Sequence, residues 1–120
     1  MNGNIMPYAE QWTPVTVSID SSKIASGSVE VYKKDGLVYV YLNTIVFKAG
    51  GNNQGSIITG LPKAAAQGGS RFGGANTSEN GSVVNDSCWI AKDTTVINAH
   101  AGTGGYNLRH YAYFVYPTNE

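Results

Sequence analysis

A single cysteine, Cys88, stands among 120 residues. One cysteine forms neither an internal disulfide nor a thiolate metal cluster, and beside Trp89 in an apolar stretch it reads as a small buried hydrophobe. Charge is also scarce. Eight basic and eight acidic side chains cancel, and only 13% of residues are charged. That excludes the electrostatic footprint of a nucleic-acid binder or of a protein held on an anionic membrane. No apolar run nears the ~20 residues of a membrane-crossing helix, and the polar opening MNGNIMPYAEQW has no signal-peptide pattern. Helical periodicity is missing too: the run AAA at 64 to 66 is stopped by Gly68-Gly69, leaving at most one helical turn over Lys63 to Gln67. No repeat of some 20 to 50 residues is visible, which excludes a solenoid or propeller.

What is present is glycine, asparagine, serine and threonine between short apolar alternations. With 42% apolar residues, the chain has enough to fill one core and belongs to one domain. Residues 1–11 read as a linker or shaft remnant and 12–120 as the domain. Val15, Val17 and Ile19 alternate with polar residues as a first strand. SVEVYKKDGLVYVYLN (28 to 43) reads as a hairpin about a two-residue Asp35-Gly36 turn, with Tyr32 opposite Tyr39. One face then carries Val29, Val31, Val38, Val40 and Leu42. The other carries Glu30, Tyr32, Tyr39 and Tyr41, too aromatic for free solvent, so at least half of it should be covered. Further strands follow at Ser56 to Thr59, Ser82 to Ala91, Thr94 to Ala99 and His110 to Tyr116, the second and third of these joined by a turn at Lys92-Asp93. The last strand is apolar on both faces, and should be covered on both. About seven or eight strands in this arrangement predict an all-β, antiparallel sandwich of jelly-roll-like form.

Signs of catalysis are few. Cys88 has no local signature and no serine lies in G-x-S-x-G, so no nucleophile is marked. Asp20, Asp35 and Asp93 sit at turns, where aspartate is favoured for local hydrogen bonding. His100 and His110 would need Asp86 or Asp93 to complete a metal site, and no spacing demands it. GTGG at 102 to 105 precedes a strand, not the helix a phosphate loop requires. The sequons at Asn76, Asn80 and Asn85 mark a polar loop. The chain therefore reads as a binding protein, not an enzyme, with no cofactor and no metal. Saccharides are held by aromatic rings against their apolar faces, with amide, guanidinium and imidazole groups on their hydroxyls. Tyr106, Asn107, Arg109 and His110 form the first such set, supported by Trp89 and His100. Trp89 with Asp86, and Arg71-Phe72, are further candidates, although a tryptophan inside a strand reads most simply as core.

Taken in order, these elements resemble the C-terminal receptor-binding heads of tailed-phage tail fibres and baseplate proteins. The resemblance rests on Trp12 at the domain start, the V-x-V-x-K-x-x-x-x-V-x-V hairpin from Val29 to Val40, and the strand ending Ile57-Ile58-Thr59-Gly60-Leu61-Pro62. It continues through Ile90, Asp93, Val96 and Ile97 to the closing strand from Tyr111 to Tyr116. Lys63-Ala64-Ala65-Ala66 stands where the family often continues Leu-Pro-x-Gly-Tyr-x-Pro. The resemblance implies a homotrimeric β-sandwich at the tail tip of a virion, assembled in the host cytoplasm with other tail or baseplate proteins. Its expected ligand is a bacterial surface glycan, with no nucleic acid and no membrane insertion. Tyr32, Tyr39, Tyr41, Tyr111 and Tyr113 would then form the subunit interface. Other roles for the same pattern are a monomeric bacterial carbohydrate-binding module or lectin, and a trimerisation domain without a ligand.

Overall fold

The computed structural model describes residues 12–48, 54–76, 86–101 and 108–120. Among them there is no helix, and ten strands are formed: β1 (Thr13–Pro14), β2 (Ser18–Ile19), β3 (Ile24–Lys34), β4 (Leu37–Phe47), β5 (Gln54–Thr59), β6 (Gly68–Arg71), β7 (Gly73–Asn76), β8 (Ser87–Ile90), β9 (Ile97–His100) and β10 (Leu108–Pro117). They make two five-stranded antiparallel sheets, β1-β3-β4-β10-β7 and β2-β5-β9-β8-β6. The expected sandwich is therefore present. Two of its strands are only two residues long. β4 and β10 are neighbours in the first sheet while β5 and β9 are neighbours in the second, so two consecutive antiparallel ribbons wrap across both layers, as in a jelly roll.

The hairpin forms as its residues require. Asp35 and Gly36 take φ of 51° and 79°, the two left-handed positions of a type I′ turn. Lys34 faces Leu37 and Tyr32 faces Tyr39. Val31, Val38, Val40 and Leu42 are buried, and Val29 packs against the core as a half-buried residue. The alternation then breaks. Thr44 adopts a left-handed φ of 56°, and pairing with both neighbours shifts beside it. This β-bulge moves the inward set from even to odd positions, so Ile45 and Phe47 are buried instead of Thr44 and Val46.

Two expectations are corrected. The first strand is not continuous: Thr13–Pro14 pairs with β3 and Ser18–Ile19 with β5, so the segment crosses from one sheet to the other, with Val15, Val17 and Ile19 against the core edge. Pro14, which has no N–H, suits the edge position it takes. Nor is there a helical turn at Lys63 to Gln67. Ala64 is buried and bridges to Thr118, and Ala65 N–H donates to the Pro117 carbonyl at 2.8 Å. This strap ties down the end of β10, where the Tyr116 hydroxyl donates to the Pro62 carbonyl at 2.8 Å. Burial raises the Tyr116 phenol pKa, and Glu120 adds to the shift.

Phe47, Asn76, Asp86, Ala101 and Leu108 lie together at one end of the sandwich by register. The segments 49–53, 77–85 and 102–107 lie outside the described residues. Residues 1–11 are outside them as well, with Ser82 to Asn85 of the expected Ser82 to Ala91 strand.

Candidate functional site

The described candidate residues fall on the two outward faces of the sandwich and in its interior near one end. His110 is the clearest correction. It is 0% exposed, on the inward side of β10, so it is no surface ligand for a sugar. Its Nδ1 donates to the Ile45 carbonyl at 3.0 Å, and its Nε2 is hydrogen-bonded to Asp86 Oδ2 at 2.8 Å. Phe47 and Phe72 close around the ring edge-on, with centroids 5.0 and 4.9 Å away. Asp86 is thereby removed from the surface pair with Trp89, and Phe72 from the pair with Arg71, since both are buried. Among the described residues no group of three potential ligands is placed to hold a metal. The His110–Asp86 contact is a buried, hydrogen-bonded link between β10 and the start of β8, one strand from each sheet. Here the bulge at Thr44 has its effect: it turns Ile45 and Phe47 towards His110, which no even alternation would have done.

The outer face of the second sheet gathers what remains. Cys88 and Ile90 point inward, so Ser87 and Trp89 point out. Likewise Ile97 and Ala99 point inward, leaving Asn98 and His100 outward. Gly69 lies opposite Trp89, Arg71 opposite Ser87, Asn98 opposite Trp89 and His100 opposite Ser87. Trp89 is thus half-buried on a face and not in the core. A Cβ at Gly69 would come within 2.6 Å of the Cys88 carbonyl and 2.8 Å of Trp89 Cβ. The bare glycine backbone leaves an open depression of about 350 Å³ lined by Gln67, Gly69, Arg71, Ser87 and Trp89, at the small end of ligand sites. Cys88 lies beneath it, with burial pushing its thiol up to about 12. A thiol so held stays protonated at neutral pH and serves as packing.

The outer face of the first sheet is aromatic. Tyr32, Tyr39, Tyr41 and Tyr111 are half-buried. Trp12 meets Tyr39 edge-on at 6.3 Å, and Tyr39 stacks on Tyr113 at 6.4 Å with 25° between the planes. The Tyr32 hydroxyl donates to Glu30 at 2.8 Å. The hairpin tyrosines are therefore covered in part by the chain's own rings. Among the described residues of the single chain, the outer side of the last strand is left open: Tyr113 is 67% exposed, Val115 47% and Leu37 beside them 43%.

Arg109 is exposed on β10 and pairs with Ala75, on the sheet opposite to Trp89 and His100. Tyr106 and Asn107 lie outside the described residues. So the expected loop set is divided, while Trp89, His100 and Arg71 are brought onto one face. Ser87, Asn98 and Gly69 join them there, and strand alternation on either side of the Lys92-Asp93 turn is the signal that would have found the first two.

Searches of family models, of curated proteins and of solved structures find no match to this chain.

Proposed function

We propose that the chain is the receptor-binding head of a phage tail fibre or baseplate protein, capturing a bacterial surface saccharide without covalent chemistry. The observation that carries this reading is Trp89: an outward-facing indole on a rigid sheet, beside a bare glycine, with Arg71, Ser87, Asn98 and His100 at the neighbouring outward positions. Such a ring covers the apolar face of a sugar, and the surrounding groups serve its hydroxyls. The aromatic outer face of the first sheet is suited to contact between copies, tyrosine being large, stiff and tolerant of partial wetness. Three weak sites on a homotrimer, and many heads on one virion, would raise avidity through effective concentration. The test is adsorption of the purified chain to bacterial cells or immobilised surface glycans. Trp89→Ala should abolish it, and unchanged binding would overturn the reading.

A monomeric carbohydrate-binding module is the second reading, favoured by the stacked Tyr39–Tyr113 pair, which in a single chain is an open aromatic platform. Light scattering separates the two: three times 12.7 kDa supports the head, and a single 12.7 kDa species supports the module.

A further inference from the structure

We infer that the Trp89 depression takes an N-acetylated sugar, its ring on the indole and its acetamido group in the gap over Gly69. The inference rests on the saccharide reading above and specifies its ligand. The two sides of the indole differ along the cross-strand row that Trp89 occupies. On one side stand polar side chains: Asn98 lies directly opposite Trp89, and Ser56 directly opposite Asn98. On the other side stands main chain alone, because the residue opposite Trp89 there is Gly69. Gly68 and Ser70 border the depression as well. Both are in phase with the inward side, where a Cβ at Gly68 would come within 2.7 Å of Tyr116 Cβ, so they border it through their backbone.

The ladder decides where that backbone points. Phe72 N–H donates to the Asp86 carbonyl at 2.9 Å. In the same antiparallel register Ser70 also turns its N–H and C=O towards β8, and Gly69, one residue out of phase, turns its own pair away. β6 is the outermost strand of its sheet, so the Gly69 pair lies along the edge, and no described residue bonds to it. An acetamido group is itself a peptide unit, an amide N–H and C=O ending in a methyl. It bonds to a strand edge as an added strand does, while its methyl needs only apolar contact. The Gly69 methylene beside the Trp89 ring supplies that contact. A side chain at position 69 would close the gap, its Cβ falling 2.8 Å from Trp89 Cβ. On the opposite side of the ring, the Asn98 amide and the Ser56 hydroxyl offer donors and acceptors to sugar hydroxyls. None of these groups is charged, so recognition here depends on shape and amide pairing.

The full chain, labelled with ¹⁵N and ¹³C, is titrated with two matched pairs of neutral oligosaccharides. One pair is an N-acetylglucosamine oligomer and its glucose counterpart, the other an N-acetylgalactosamine oligomer and its galactose counterpart. The Trp89 indole N–H reports occupancy, and a filtered NOE from the acetyl methyl to the Gly69 α-protons reports placement. In at least one pair the N-acetylated member should bind about tenfold tighter, as one main-chain hydrogen bond and one buried methyl together supply. That member should also shift the Gly69 N–H and show the methyl NOE. Gly69→Ala should erase the difference within the pair, and if that variant does not fold, the NOE on the unaltered chain decides. Equal affinities within both pairs, with the Trp89 signal moving, would overturn the inference and leave saccharide capture standing. A preference with the methyl NOE on Asn98 instead of Gly69 would overturn it too. If no probe moves the Trp89 signal the inference falls, and adsorption to cells then decides the parent reading: loss on Trp89→Ala keeps it, and no loss removes it.

Discussion

On the outside of the first sheet, three cross-strand rows run Lys34–Leu37–Pro117, Tyr32–Tyr39–Val115 and Glu30–Tyr41–Tyr113. On the outside of the second, the corresponding rows run Arg71–Ser87–His100 and Gly69–Trp89–Asn98. Beneath both lies the same hydrophobic core. The difference is one of area against pattern. The tyrosine face offers a broad apolar surface whose charges sit at its edge, the arrangement of a contact between proteins. The tryptophan face offers one ring, one gap and a cluster of polar groups, the arrangement of a small-ligand site. Glycine makes the second possible, because any side chain at position 69 would occupy the space beside the indole.

The largest expected effect comes from the link that both faces share. Replacing His110 with Ala removes a buried hydrogen-bond partner of Asp86 and the ring packed between Phe47 and Phe72. Stability should fall by about 3–5 kcal/mol in urea denaturation, the cost of breaking a buried pair. Asp86→Asn keeps a hydrogen-bonding group and should cost less. If His110→Ala instead left stability unchanged, the two faces would not depend on one anchor.

Next comes the tyrosine face. Tyr39→Ala with Tyr113→Ser removes the stacked pair, and should dissociate any assembly seen by light scattering, with a loss of about 2 kcal/mol or more of association energy, as for a central aromatic contact. Glycan affinity per chain should not change. Trp89→Ala is the mirror experiment: assembly mass unchanged, single-site glycan affinity lowered about tenfold or more, and stability reduced by only about 1 kcal/mol by urea denaturation because the ring is half-exposed. Either variant changing both properties would merge the faces into one site.

The smallest effect lies at the corner joining the sheets. Asp20 accepts hydrogen bonds from Ser22 N–H and Oγ at 2.9 and 2.6 Å, and these, more than the nearby lysines, hold its carboxyl below the ordinary 3.8. A carboxyl whose folded pKa is depressed adds stability above its unfolded value and loses it as pH falls through the folded one. Asp20→Asn should therefore slightly flatten the loss of stability in acid below about pH 4, with neither face altered. A steeper acid loss in the variant would contradict that assignment.

Much of this was legible along the chain, and for local reasons. Period-two alternation marked Val31, Val38, Val40 and Leu42 as core, and Asp35-Gly36 set the hairpin register, because both depend on residues a few positions apart. Trp89 and His100 were visible as candidates by residue type. Their company was not. Asp86 and His110 are 24 positions apart, and Ile45 is 65 from His110, distances over which no spacing rule operates. The surface set built around Tyr106 to His110 failed at His110, which lies in phase with the buried Ala112, Phe114 and Tyr116 of its own strand; what no spacing showed was the Asp86 and Ile45 it meets there.

The sequence by itself determined the all-β class, the hairpin and the alternation that divides each strand into inner and outer sides. These follow from backbone sterics and from hydrophobic burial acting over short spans. Only the tertiary structure decided which outer sides share a face. It set Arg71, Trp89 and His100 on one sheet and the tyrosines on the other, and it brought Asp86 and the Ile45 carbonyl to His110. The physical reason is that strand order and register are settled by the packing of the whole core, where one extra residue at Thr44 reverses what faces inward.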